Sequence, residues 1–184
     1  MEDNYKAQLQ HLLDRQAIMD CLYRYTRGVD RLDRELLLSA YHPDAIDDHG
    51  AFVGGPVAFV EFAFPRHRRD QQCTNHLLMN HQCEIEGNVA HAETLCLYIG
   101  VNRSGTTDVV GCRYVDRLER REGEWKIFRR VCVTDWFGGL HGESHFDPSL
   151  RAVVEQLQAN AHTARDRSDI SYCRPLEITR TARP

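Results

Sequence analysis

Apolar residues near the start of the chain recur every three to four positions: Leu9, Leu13, Ala17, Cys21, Leu22, Tyr25 and Val29 fall on one stripe. That recurrence is one face of an α-helix and predicts a long helix over 5–29, with Gly28 near its end and Asp30 following. A second, short helix is predicted over 33–41, capped by Asp33, with Leu36, Leu37 and Ala40 on its buried side and Pro43 past its stop. Residues 44–53 suit a short strand pair, and Gly54-Gly55 a turn. Pro56 suits the first position of a third helix, which Pro65 helps to end near Phe64.

The pattern changes in the second half. Four strand-like segments, 75–85, 89–102, 107–121 and 124–137, are separated by Glu86-Gly87-Asn88, Asn102-Arg103-Ser104-Gly105 and Arg121-Glu122-Gly123. Short turns between long strands make an antiparallel meander. Helices first and strands afterwards predict an α+β fold, with N-terminal helices packed on one face of a curved sheet. A single catalytic-type domain is expected over 1–147. A helix from Pro148 to about Ala161 and a charged, extended tail from Arg165 follow in 148–184.

Composition narrows the classes of function. A net charge of −4 argues against nucleic acid as a partner, and Arg66-His67-Arg68-Arg69 reads as a solvated basic cluster. No apolar run is long enough to span a bilayer, and the polar, acidic N-terminus lacks the look of an export signal. Seven scattered cysteines, odd in number and never in a C-x-x-C pair, fit reduced thiols in a cytoplasmic protein. His141 and His145 have the spacing of a helical metal pair, but Gly138, Gly139, Gly142 and Pro148 crowd that stretch, so no metal site and no cofactor are expected. Phosphate-binding loops, dinucleotide fingerprints and nucleophile elbows are missing from the sequence.

The candidate chemistry is acid/base. His76 opens the first long strand and shares a face with Leu78 and Asn80, whereas His81 has the opposite parity and is expected to point away. Asp33 is the better-placed cap of the short helix, which frees Asp30 to turn inward and hold an imidazole. A carboxylate that fixes the tautomer of a histidine makes a dyad able to move protons. Tyr25 lies on the apolar stripe and needs a partner for its hydroxyl, as a core tyrosine or as a proton donor. Arg130, between Phe128 and Cys132, is either inward and able to polarise a substrate oxygen or leaving group, or an outward charge at the sheet rim or a member of an ion pair. Tyr98 shares its face with Thr94 and Cys96, a small-residue surface suited to a pocket wall.

Several stretches taken together resemble the SnoaL-like branch of the nuclear-transport-factor-2-like superfamily, over about residues 8–140. They are Leu13 to Ile18 leading to Tyr25, Gly28-Val29-Asp30, Gly54-Gly55-Pro56, the segment around His76, and Tyr114 to Ile127 with its tight turn before Trp125. The resemblance implies a cone: three helices against a strongly bent, mostly antiparallel sheet with a deep apolar pocket between. Scytalone dehydratase, bile-acid 7α-dehydratase and hexachlorocyclohexane dehydrochlorinase, all cofactor-free lyases of this superfamily, are similar at matching positions. Asp30 and His76 match their Asp–His dyad, Tyr25 matches a tyrosine of the bile-acid enzyme, and Arg130 matches an arginine that helps bind the leaving group in the dehydrochlorinase. Tyr98 stands where the two dehydratases place an acid or a second histidine, and Thr134 where the bile-acid enzyme has an arginine.

What the resemblance implies is a cofactor-independent lyase on a hydrophobic, cyclic or aromatic hydroxylated small molecule, in the breakdown of aromatic compounds. His76 would be the base, Asp30 its orienter, and Tyr25 the proton donor, with Arg130 and Tyr98 binding substrate. Loss of water and retro-aldol carbon–carbon cleavage remain open. So do an isomerase or cyclase using the same dyad, and a non-catalytic ligand-binding or dioxygenase small-subunit-like protein. A homo-oligomer, by preference a trimer, is expected, with the tail after Arg165 crossing a neighbour.

Overall fold

A computed structural model describes residues 2–140, 164–169 and 172, with side chains from Asn4 onward. Helix α1 runs Glu2–Asp30, α2 Arg34–Ser39 and α3 Pro56–Asp70; the strands are β1 Tyr41–Asp48, β2 Val53–Gly54, β3 Gln71–Glu86, β4 Val89–Asn102, β5 Thr107–Arg121 and β6 Glu124–Leu140. The strands form one bent, open sheet in the order β2-β1-β6-β5-β4-β3. This is the expected α+β architecture.

Helix α1 buries Ile18, Cys21, Leu22, Tyr25 and Val29 against the sheet. The apolar stripe read from the sequence continues upstream, but Leu9 and Leu13 are exposed there. Asp14 ties the helix to the β5–β6 hairpin: it accepts hydrogen bonds from Trp125 Nε1 at 2.9 Å and Arg120 Nη1 at 2.9 Å. Its C-terminus sets the site. The Asp33 amide bonds back to Gly28 O at 2.9 Å, and Leu32 takes the left-handed conformation at φ 51°, a helix stop more often built on glycine. Asp33 at once caps α2, accepting from Leu36 N at 3.0 Å as expected. Gly28 lets the helices meet: a Cβ there would lie 2.6 Å from Leu37 N.

Three local expectations are corrected. Pro65 does not end the third helix, which continues to Asp70. Proline removes one hydrogen bond, and the buried Phe59, Val60, Ala63 and Phe64 hold the helix to the core around it. The strand pair expected over 44–53 shrinks to Asp47↔Gly54 and Asp48↔Val53. On its other side β1 lies parallel to β6, with Ile46↔Arg129 and Asp47↔Arg130 as partners. Finally, the β3–β4 register shifts between Leu78 and His81. An extra residue in one strand reverses its alternation, so Asn80 is exposed and His81 turns inward, its Nδ1 2.8 Å from Oγ1 of the buried Thr94.

The four-strand meander matches its expected limits closely. Its last turn, Glu122-Gly123, has φ of 54° and 84°, the two positive values a tight type I′ hairpin requires. Residues 164–169 and Tyr172 dock on the helices and β3 of their own chain. Tyr172 donates to Asp33 Oδ2 at 2.8 Å, and Arg165 Nη1 donates to His67 O at 2.7 Å. The helix expected from Pro148, the pair His141 and His145, and the later tail residues Cys173, Pro175 and Leu176 lie outside the described residues. Among the described residues no helix is long and apolar enough to cross a membrane.

Candidate functional site

Between α1, α3 and the inner face of the sheet lies a cavity of about 330 Å³. Its lining includes Tyr25, His49, His67, His76 and Tyr98, with Phe59, Phe62, Ala63 and Val110 among the apolar walls and Arg66, Asp70 and Gln71 also contributing. Polar groups set in an apolar concavity are the usual composition of a small-molecule site.

Asp30 and His76 meet. Strand β3 is the last strand of the sheet, so its outer backbone groups have no neighbouring strand, and Asp30 supplies the missing acceptor. Its Oδ2 accepts from the His76 amide at 2.9 Å, while Oδ1 takes Thr74 Oγ1 at 2.8 Å and His76 Nδ1 at 2.6 Å. Burial would raise the Asp30 carboxyl. The hydrogen bonds and charge of His76, its amide and Thr74 outweigh that and hold the group below its usual value. With Nδ1 occupied, Nε2 is the ring nitrogen left to meet a ligand in the cavity.

Tyr98 stands over this dyad, its ring centroid 5.0 Å from that of His76. It belongs to a chain that begins on α3: His67 Nδ1 donates to Gln71 Oε1 at 2.5 Å, and Gln71 Nε2 donates to the Tyr98 hydroxyl. The Tyr98 oxygen is thereby used as an acceptor, and its proton is free for a ligand. Burial pushes the phenol up to about 12, so it works as a hydrogen-bond donor. Gly100 makes room for this pair, since a Cβ there would fall 2.4 Å from Tyr98 Oη. Burial pushes His67 down to about 4, against a hydrogen bond to Gln71 that favours the charged form.

Tyr25 is fully buried, and burial holds its hydroxyl well above the ordinary value. Its hydroxyl lies 3.3 Å from His49 Nε2. His49 Nδ1 in turn donates to Asp47, which also accepts the Tyr41 hydroxyl. Arg130 is not among the lining residues. It is buried and bidentate with Asp116, its register partner on β5, at 2.7 Å for both bonds. Its guanidinium carbon sits 4.2 Å from the Tyr25 ring centroid and 4.1 Å from that of Tyr114. Of the sequence alternatives for Arg130, the ion pair is the one present, buried in the core and not at the sheet rim, with the guanidinium against the ring of Tyr25.

Two lining residues, His67 and His49, escaped the sequence reading, as did Asp47, which holds His49 from outside the lining. His67 falls in Arg66-His67-Arg68-Arg69, which reads as a solvated basic cluster, beyond the expected end of the helix near Phe64. Asp47 and His49 carried a readable signal, since two residues apart on a strand share a face, but nothing local says which face. Among the described residues no three His, Cys, Asp or Glu side chains converge as metal ligands.

The chain matches the SnoaL-like domain over residues 10–131 and belongs to that family. Two structures of the hexachlorocyclohexane dehydrochlorinase LinA are similar, the type 2 form at 23% identity and TM-score 0.69, the other at 26% and 0.68; each covers 77% of this chain and 98% of its own. A scytalone dehydratase-like protein from Novosphingobium aromaticivorans is similar at 19% identity and TM-score 0.65, covering 72% of this chain and 91% of its own. No curated protein matches this chain. These likenesses establish the cone-shaped fold of the nuclear-transport-factor-2-like superfamily.

Proposed function

We propose that this protein is a cofactor-independent lyase acting on a hydrophobic, aromatic or cyclic hydroxylated small molecule. The observation that carries the proposal is the 2.6 Å contact of His76 Nδ1 with Asp30 in the wall of a cavity of about 330 Å³. In the proposed reaction His76 Nε2 removes a proton from carbon or from a hydroxyl. Asp30 holds the tautomer and stabilises the imidazolium. Tyr25 protonates the departing or developing oxygen, Tyr98 donates a hydrogen bond to a substrate oxygen, and Arg130 steadies Tyr25 from behind. Water loss and retro-aldol cleavage to a small aldehyde both use this one base and one acid.

The test is metal-free incubation with a panel of hydroxylated aromatic and alicyclic compounds, wild type beside His76→Ala, read by mass spectrometry. Loss of water or formaldehyde that falls about 10²–10⁴-fold in the variant supports the lyase. Full activity in a folded His76→Ala protein sinks the mechanism, and an unchanged mass with a changed retention time moves the reading to an isomerase. We further propose a cytoplasmic homo-trimer. The free thiols support the compartment. Exposed Leu77, Met79, Val115 and Val131 on the outer sheet face support the assembly, which sedimentation would test.

A further inference from the structure

The cavity holds a second carboxylate–imidazole unit. Asp47 and His49 leave β1 on the inner face, and His49 Nε2 meets the Tyr25 hydroxyl at 3.3 Å. The aromatic rings divide into two groups. His76 contacts His67 and Tyr98, while His49 contacts Phe59 and Tyr114, and among the described residues no ring contact joins the groups. Both groups line one cavity.

We propose that Asp47–His49–Tyr25 is the proton-donating station of this cavity, with His49 supplying the proton that Tyr25 delivers. The proposal rests on the lyase reading for the reaction it serves, and its geometry is independent of that reading. Two features support a donor. Asp47 and Asp116 are buried and bring two negative charges to this end of the core, and Arg130 brings one positive charge. A proton on His49 balances them, and an uncompensated buried charge is costly. Burial also keeps the Tyr25 phenol well above its ordinary value, so a phenolate left behind by donation would be unfavourable. A simultaneous proton from His49 avoids it.

The step balances. His76 Nε2 takes the substrate proton, and the electron pair of that bond expels the leaving oxygen or carbon group. The leaving or developing oxygen takes the Tyr25 hydroxyl proton, and Tyr25 takes the Nε2 proton of His49. His49 ends neutral, with Nδ1–H still on Asp47. After product departure His76 returns a proton to solvent and His49 takes one up. The groups facing His49 are Asp47 on β1, Tyr25 on α1, Tyr114 on β5 and Cys132 on β6, with Phe59 of α3 against its ring; behind them Tyr41 bonds to Asp47 and Arg130 lies over the Tyr25 ring.

Two measurements on the intact protein test this. Nitrogen-15 NMR of labelled histidines at pH 7, with His49→Gln to assign the signals, is expected to find both His49 nitrogens protonated. An unprotonated Nε2 at His49 would overturn the donor direction. This readout needs no turnover, so it can fail while the lyase reading stands. With any compound that wild type converts in a His76-dependent way, His49→Gln is expected to lower kcat at least about 10²-fold with KM within about threefold. An unchanged kcat overturns the station. If no compound is converted, the lyase reading fails and the NMR result alone decides.

Discussion

Replacing Asp30 by asparagine changes almost no volume and should disable the dyad through one proton. Asp30 accepts three hydrogen bonds, from the His76 amide at 2.9 Å, Thr74 Oγ1 at 2.8 Å and His76 Nδ1 at 2.6 Å. An asparagine has one acceptor end and one donor end. The backbone amide can only donate, so the asparagine oxygen must face it; a buried donor left unpaired costs about 1–3 kcal/mol. The NH₂ end then faces Thr74 and His76 Nδ1. Threonine can rotate its hydroxyl and accept. The imidazole accepts only if its proton moves to Nε2, the nitrogen that was the base. A misplaced tautomer of this kind costs about 10⁴ in rate in the Ser-His-Asp triad, about 5 kcal/mol of transition-state stabilisation. The same order is expected here for Asp30→Asn on a converted substrate, with the unfolding midpoint nearly unchanged. Long-range proton–nitrogen NMR reads the tautomer directly. A variant that keeps the ring proton on Nδ1 and turns over within about threefold of wild type refutes the argument.

Further outcomes follow from the same geometry. Arg130→Met strands the buried Asp116 carboxylate and should cost about 3–5 kcal/mol in urea unfolding; adding Asp116→Leu should recover most of it, and an unchanged midpoint in the single variant would refute the pairing. His67 has a folded value near 4 because of burial, against about 6.5 when unfolded. Between those values the unfolded chain binds more protons, so stability falls as pH drops through that window, by up to about 3 kcal/mol; His67→Gln should flatten the decline in urea midpoints from pH 7 to 4.5. Asp30, held below its usual value by His76 and Thr74 despite burial, adds stability above its unfolded value that is lost as pH falls through its folded one. Gly28→Ala would place a Cβ 2.6 Å from Leu37 backbone and should cost about 1–3 kcal/mol, read as a lowered Tm, with activity falling as the α1–α2 corner that carries Asp30 shifts.

The sequence by itself determined the elements whose causes are local. Alternation and glycine turns over 75–137 specify long antiparallel strands, because a two-residue turn such as Glu122-Gly123 imposes the hairpin and the register of the pairs next to it. The stripe of α1 and the Asp33 cap are equally local. Residue types and family resemblance singled out Asp30 and His76, but their contact is tertiary: it exists because Leu32 turns the chain and β3 offers a free edge.

Tertiary structure alone decided the rest. A bulge in β3 reversed His81 and Asn80, and another in the β5–β6 pair shifted register between Arg117 and Leu118. Carried straight from the turn, the pairing would set Arg129 opposite Asp116; the bulge puts Arg130 there instead. Pro65 reads as a helix end until burial of Phe59 to Phe64 carries α3 onward and delivers His67 to the cavity. Asp47 and His49 reached the core beside Tyr25 through β1 lying parallel to β6, a pairing of residues more than 80 apart. Such contacts depend on which surfaces bury each other, and no window along the chain contains that information.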